Sequence, residues 1–263
     1  MIEKLKFESA GQGIPLVFIH GWGLNAGVWQ PVMQVLADRY QVIAIDLPGF
    51  GNNVQVSSEP YNLTTISNQI VDTIEVPAIY VGWSLGGLIA SHIAIHHAQQ
   101  VLGLVTIASS PCFVEQAQWP GMKSAVLKNF YRLLIENSQQ TINNFLKLQA
   151  MGSPHIRDNI RQLQQLIANY PQPSTTVLAK SLAVLEHADI RTQLADINSP
   201  VLRMYGQLDS LVPKAVTGLV QTLMPKSEQY IFSQAAHAPF ISHFNEFIDV
   251  LLSWCERIDK VRK

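Results

Sequence analysis

Gly82-Trp83-Ser84-Leu85-Gly86 sets a serine between two glycines, in the order G-x-S-x-G that displays a nucleophilic hydroxyl on a sharp strand-to-helix turn. The flanking residues supply the context this pattern demands. Ala78 to Val81 reads as a short buried strand and Leu88 to Ala94 as the apolar start of a helix. Gly82, Gly86 and Gly87 leave out the Cβ atoms that so tight a turn cannot hold. A serine hydroxyl is a weak nucleophile at neutral pH, so it needs a general base, and the base needs an orienting acid. Sites built on this turn carry both partners downstream, acid first and histidine second. Asp209 follows the apolar run Val201–Tyr205, and His237 follows Tyr230–Phe232 among the small residues Ala235, Ala236 and Ala238. Ser84, Asp209 and His237 are therefore the candidate catalytic set for acyl transfer. Such a reaction also needs N–H donors for the developing oxyanion. Leu85, directly after the serine, supplies one. Trp22, in the loop His20-Gly21-Trp22-Gly23 after the run Leu16–Ile19, supplies the other, and its indole is placed to wall an acyl pocket.

The remaining polar clusters compete poorly. His20 precedes the serine at a strand end and reads as a turn-shaping residue. His92 and His96 lie four apart on a helix, with His97 beside them, but no glutamate completes an H-E-x-x-H zinc pattern, so no metal site is expected. His155 and His187 fall in or next to a helical insertion, and His243 is the runner-up base. Asp46-Leu47-Pro48-Gly49-Phe50-Gly51 is not a dinucleotide fingerprint and there is no phosphate loop, so no cofactor is expected.

The elements that must position these residues alternate. Strands are expected at Leu16–Ile19, Val42–Ile45, Ala78–Val81, Val101–Ile107, Val201–Tyr205 and Tyr230–Phe232. Helices are expected at Trp29–Ala37, at Leu63–Ile74 behind a cap at Asn62 or Thr64, after Ser84, and at Phe244–Glu256. Short apolar runs between helices indicate a parallel sheet covered on both faces, a doubly wound α/β architecture. From Pro111 to Ala188 the pattern is helical with no strand. Pro111, Pro120, Gly152-Ser153-Pro154 and Pro171-Gln172-Pro173 divide it into about four helices. The expected organisation is a core of residues 1–110 and 189–263 with a helical cap, 111–188, inserted over the carboxyl ends of the strands, where such sheets bind ligands.

Composition narrows the function classes. Only 14% of the 263 residues are charged and the net charge is −1, which gives no support for nucleic-acid binding. No run approaches a membrane span, the first residues have no signal-peptide pattern, and Cys112 and Cys255 sit in no metal or redox spacing. A cytoplasmic protein with two buried free thiols is expected.

With these motifs in hand, the chain resembles the α/β-hydrolases, and within them the pimeloyl-acyl-carrier-protein methyl ester esterases of biotin synthesis. The resemblance runs end to end. It is carried by HGWGLNAGVW (20–29), DLPGFG (46–51), GWSLGGLIAS (82–91), TIASSPCF (106–113), FLKLQAMG (145–152), LRMYGQLDSLVP (202–213) and AAHAPFISH (235–243). It implies an acyl-enzyme mechanism on a pimeloyl methyl ester carried by acyl carrier protein, without cofactor, by a monomer. It implies a substrate site of Trp22, Ser84, Leu85, Phe145, Leu146, Lys147, Leu148, Gln149 and His237, and carrier docking through Arg157 and Arg161. One departure bears on the docking: Gln139, Gln140, Asn143 and Asn144 stand where caps of this family tend to carry arginines. Separately, Asn52-Asn53 follows DLPGFG where a more charged pair is expected. The rival readings are a broad short-chain carboxylesterase without a carrier partner, a serine-dependent C–C bond hydrolase, and a non-catalytic binding protein on the same scaffold.

Overall fold

The structure, a computed structural model, describes residues 3–151 and 156–262. Gly152, Ser153, Pro154 and His155, where the sequence predicts a helix break, lie outside the described residues. In chain order the elements are β1 (Phe7–Ala10), β2 (Pro15–Ile19), α1 (Gln30–Leu36), β3 (Gln41–Ile45), α2 (Leu63–Ile74), β4 (Ala78–Trp83), α3 (Leu85–His96) and β5 (Val101–Ile107). Then come α4 (Ser124–Glu136), α5 (Ser138–Ala150), α6 (Ile156–Ile167), α7 (Thr175–His187), β6 (Val201–Gly206), α8 (Ala215–Leu223), β7 (Glu228–Phe232), α9 (Pro239–Ser242) and α10 (Phe244–Arg262).

Among the described residues the strands form one seven-stranded sheet in the order β1-β3-β2-β4-β5-β6-β7. Every pairing is parallel except β1 with β3. The central parallel strands are mostly apolar because helices cover both faces, and all six residues of β4 are buried. An aromatic cluster ties the sheet to the C-terminal helices: Phe240 packs 4.5 Å from Trp29 and 4.9 Å from Trp83, ring centre to ring centre. Asn62 caps α2, its side chain accepting from the Thr65 N–H, which decides between the two caps the sequence allows.

Between β5 and β6 the described residues hold four α-helices, α4 to α7, and no strand. Each turns an apolar stripe inward: Leu127, Phe130 and Leu134 from α4, Phe145 and Leu146 from α5, Leu163 and Ile167 from α6, Leu178, Leu182 and Leu185 from α7. The chain enters and leaves this block side by side. The backbones of Cys112 and Asp189 pair as an isolated antiparallel β-bridge, and the Ile190 N–H donates to the Pro111 carbonyl at 3.0 Å. Cys112 and Cys255 are both buried and unbridged. No helix among the described residues is long and apolar enough to cross a membrane.

Candidate active site

Ser84 begins where β4 ends. Its backbone has φ 55° and ψ −116°, a region a non-glycine residue adopts only when its surroundings force it. The Ser84 N–H donates to the Ile107 carbonyl at 2.9 Å, fixing the turn to the neighbouring strand. The glycines are steric necessities. A Cβ on Gly82 would lie 2.2 Å from the Gly86 carbonyl oxygen, and one on Gly86 would lie 2.3 Å from the Ile19 carbonyl oxygen.

Asp209 and His237 sit in the loops after β6 and β7, on the same edge of the sheet. The Asp209 carboxylate is fully engaged. One oxygen accepts the Leu211 and Val212 N–H groups at 2.8 and 3.0 Å, and the other lies 2.8 Å from His237 Nδ1. A carboxylate only accepts, so Nδ1 carries the proton and Nε2 presents its lone pair. Two further bonds hold the histidine loop: the Trp83 indole donates to the His237 carbonyl at 2.8 Å, and the His237 N–H donates to the Gln149 carbonyl at 3.1 Å. His237 Nε2 is buried and takes no hydrogen bond from any described group, Ser84 Oγ included. The serine–histidine link is thus the one contact of the set not closed in this structure, and such bonds commonly tighten only when substrate binds.

The helical block covers this site. Ser84 is 2% exposed, His237 1% and Trp22 not at all. The Trp22 indole donates to the Leu178 carbonyl of α7 at 3.0 Å and packs edge-on against Phe145, 4.8 Å between ring centres, with Phe130 behind. Phe145, Leu146 and Gln149 are buried on the inner face of α5 and Leu148 is half-buried, whereas Lys147 points outward and is exposed. Gln149 is 1% exposed, and neither amide atom of its side chain has a partner among the described residues. Leaving such a group unpaired costs about 1–3 kcal/mol, so this amide is a polar contact in reserve within an apolar wall. Arg157 and Arg161 lie one turn apart on the exposed face of α6.

The loop carrying Trp22 rests on a polar cluster that sequence reasoning missed. Asp46 accepts from the Ala26 and Asn52 N–H groups at 2.7 and 2.8 Å, and buried Asn53 donates to the Asp46 and Lys6 carbonyls. Burial pushes the Asp46 carboxyl up to about 6 and the neighbouring His20 imidazole down to about 4. Their 3.9 Å approach is therefore not an ion pair at neutral pH, because His20 carries no charge there. Trp83 was also missed. Between strand and serine it reads as core, and its bond to the histidine loop has no local signal. His92 and His96 stack 4.2 Å apart on α3. His92 bonds Ser67 and His96 bonds Gln193.

Residues 14–244 match the family model described as the alpha/beta hydrolase fold. The chain is 43% identical over 248 residues to a protein of Aeromonas hydrophila subsp. hydrophila named pimeloyl-[acyl-carrier protein] methyl ester esterase, spanning 94% of this chain and 98% of that one. A protein of the same name from Vibrio vulnificus is 42% identical over 254 residues, 97% of this chain and 99% of the other. Among solved structures, an esterase from Exiguobacterium antarcticum superposes with a TM-score of 0.86 at 21% identity, covering 96% of this chain and 95% of that one. A bromoperoxidase from Bacillus anthracis superposes with a TM-score of 0.85 at 23% identity over 95% and 94%. At such identities the two structures speak for the fold alone.

Proposed function

We propose a function from one premise: the chain belongs to the α/β hydrolases and, within them, to the pimeloyl-[acyl-carrier protein] methyl ester esterases. It is a carboxylic ester hydrolase that removes the methyl group from a pimeloyl ester carried on acyl carrier protein, in biotin synthesis. Ser84 Oγ attacks the ester carbonyl carbon while His237 Nε2 takes its proton. The oxyanion forms against the Trp22 and Leu85 N–H groups. Collapse of the tetrahedral centre breaks the bond to the methoxy oxygen, which leaves as methanol with the proton from His237. Water then gives a proton to His237 and attacks the acyl-enzyme, releasing the free carboxylate and restoring Ser84. Asp209 holds the imidazole with its proton on Nδ1 and stabilises the imidazolium.

The observation that carries this reading is the Asp209–His237 bond, which leaves Nε2 as the free nitrogen of a buried imidazole. The apolar wall of Trp22, Phe145, Leu146 and Leu148 suits a methylene chain, and the unpaired Gln149 amide suits a polar group on it. Residues 111–188 act as the cap, and Lys147 stands on the outer, exposed face of α5, away from that wall. Arg157 and Arg161 meet the acidic carrier protein. The enzyme works as a cytoplasmic monomer with no nucleic-acid or membrane partner. The test is kcat/KM for the carrier-linked methyl ester against p-nitrophenyl butyrate. A preference for the carrier ester that falls with added salt supports the reading, while turnover of the small ester alone removes the carrier protein from it.

A further inference from the structure

We infer that His20 and Ser109 are positioning residues that aim the two oxyanion donors, each by holding the carbonyl at the opposite end of the donor's own peptide plane. The inference rests on the assignment of the Trp22 and Leu85 N–H groups as those donors. In a trans peptide the C=O and the next residue's N–H are rigidly coplanar and point in opposite directions. Whatever fixes the carbonyl therefore aims the N–H.

The Trp22 N–H shares its plane with the Gly21 carbonyl. That oxygen lies 2.8 Å from His20 Nδ1. A carbonyl only accepts, so Nδ1 is the donor. The second ring nitrogen, Nε2, lies 3.1 Å from the Leu47 N–H and accepts from it. Both nitrogens of this fully buried ring are thus committed, and the tautomer is set by geometry. Leu47 is itself anchored, since it follows Asp46, whose carboxylate takes two backbone N–H groups of the adjoining loops. Gly21 lies against the nucleophile: a Cβ placed on it would be 3.4 Å from Ser84 Cβ.

The Leu85 N–H shares its plane with the Ser84 carbonyl. Ser109, buried just beyond β5, donates to that oxygen from Oγ at 2.8 Å. Gly87 makes the approach possible, because a Cβ there would sit 2.5 Å from Ser109 Cβ. The two arms are unequal. The Ser84 oxygen also takes the Gly87 and Leu88 N–H groups of α3 at 3.0 and 3.2 Å, whereas among the described residues the Gly21 oxygen has, beyond His20, only the Leu24 N–H at 3.4 Å. Among the described residues His20 is the sole strong hold on its plane; Ser109 supplements a helix. Donation to the carbonyl also polarises the amide, which strengthens the N–H at its far end.

Neither residue touches substrate, so the test needs a readout that a merely structural role would not move. An alkyl trifluoromethyl ketone adds Ser84 and places an oxyanion in the hole. A parallel series uses p-nitrophenyl butyrate for kcat and KM. Removing a donor outright costs about 10²- to 10³-fold, so misaiming one should cost less: about 30-fold in kcat for His20→Leu and about fivefold for Ser109→Ala. KM should stay within twofold, and ketone affinity should weaken by the same factor as kcat. His20→Asn, which keeps a donor near Nδ1, should recover part of the loss and serves if His20→Leu does not fold. Unchanged kcat in His20→Leu or in Ser109→Ala overturns the inference for that arm, and so does a His20→Asn variant no more active than a folded His20→Leu. So does a fall in kcat without a matching loss of ketone affinity. Wild type that ignores the ketone, or Ser84→Ala that still turns over, overturns the donor assignment itself, a different failure from the first two.

Discussion

Exchanging Asp209 for asparagine changes one atom and should nearly silence the enzyme. One carboxylate oxygen accepts two backbone N–H groups, from Leu211 and Val212, and the other faces His237 Nδ1. Asparagine has a single acceptor oxygen. It must stay with the two backbone donors, because an NH2 group there would face N–H against N–H. The amide NH2 then faces Nδ1, and the imidazole can meet it only by moving its proton to Nε2. That is the atom that must accept the Ser84 proton. Forcing this tautomer on a serine–histidine–aspartate set costs about 10⁴-fold in kcat, equivalent to about 5.5 kcal/mol of transition-state stabilisation. Folding should lose far less. The same three hydrogen bonds survive with a neutral partner in place of a charged one, a difference of about 1 kcal/mol. The assay is kcat and KM on p-nitrophenyl butyrate together with nitrogen NMR of the His237 ring. Asp209→Asn should show KM near wild type, kcat down by about four decades and the proton on Nε2. A variant within tenfold of wild-type kcat, or one with Nδ1 still protonated, would refute the reasoning.

Other expectations follow from contacts already described. Gly86→Ala drives a methyl group to within 2.3 Å of the Ile19 carbonyl, so it should lose about 3 kcal/mol in urea unfolding, while Gly218→Ala on α8, with nothing within 4 Å, should gain about 0.5–1 kcal/mol. Burial holds His20 and His92 at about 4, whereas both take a proton near 6.5 when unfolded, so stability should fall as pH drops from 6.5 to 4. Asp46, raised to about 6, has the opposite sign: the native state binds its proton first and regains part of the loss between pH 6 and 3.8. Two histidines outweigh one carboxyl, so the urea midpoint should decline across this window, and His92→Gln should flatten the decline. Arg157→Gln with Arg161→Gln should lower kcat/KM on the carrier-linked ester about tenfold at low salt and leave the small ester unchanged. Equal effects on both substrates would place the arginines elsewhere in the account.

The central strands of the sheet were legible because they are buried on both faces. Runs such as Val101–Ile107 are apolar but for Thr106, and the observed strand has those bounds. Leu63–Ile74 was legible from its spacing and cap. β1 was missed because Phe-Glu-Ser-Ala is a half-exposed, antiparallel edge strand with two polar residues in four. α8 was missed because Val216, Thr217, Gly218 and Val220 favour a helix weakly, and it forms by packing against the core. α10 runs to Arg262, beyond the expected Glu256, because its last turns, including buried Ile258, still reach the core. At the site, residues that act by type and order could be read directly: a serine between glycines, an aspartate and a histidine after strands. Asn53, Trp83 and Ser109 act through contacts with segments distant in the chain, or through a peptide plane, and neither leaves a spacing to read; His20 could be read as a turn-shaping residue, but not which carbonyl it holds.

The most direct test of the central claim is the mass of the carrier protein after exposure to the enzyme. Pimeloyl methyl ester on its carrier should lose the mass of one methylene, ester to acid, with its thioester intact, and Ser84→Ala should leave it unchanged. An unaltered carrier with wild type, release of the whole acyl chain, or equal conversion by Ser84→Ala would contradict the account.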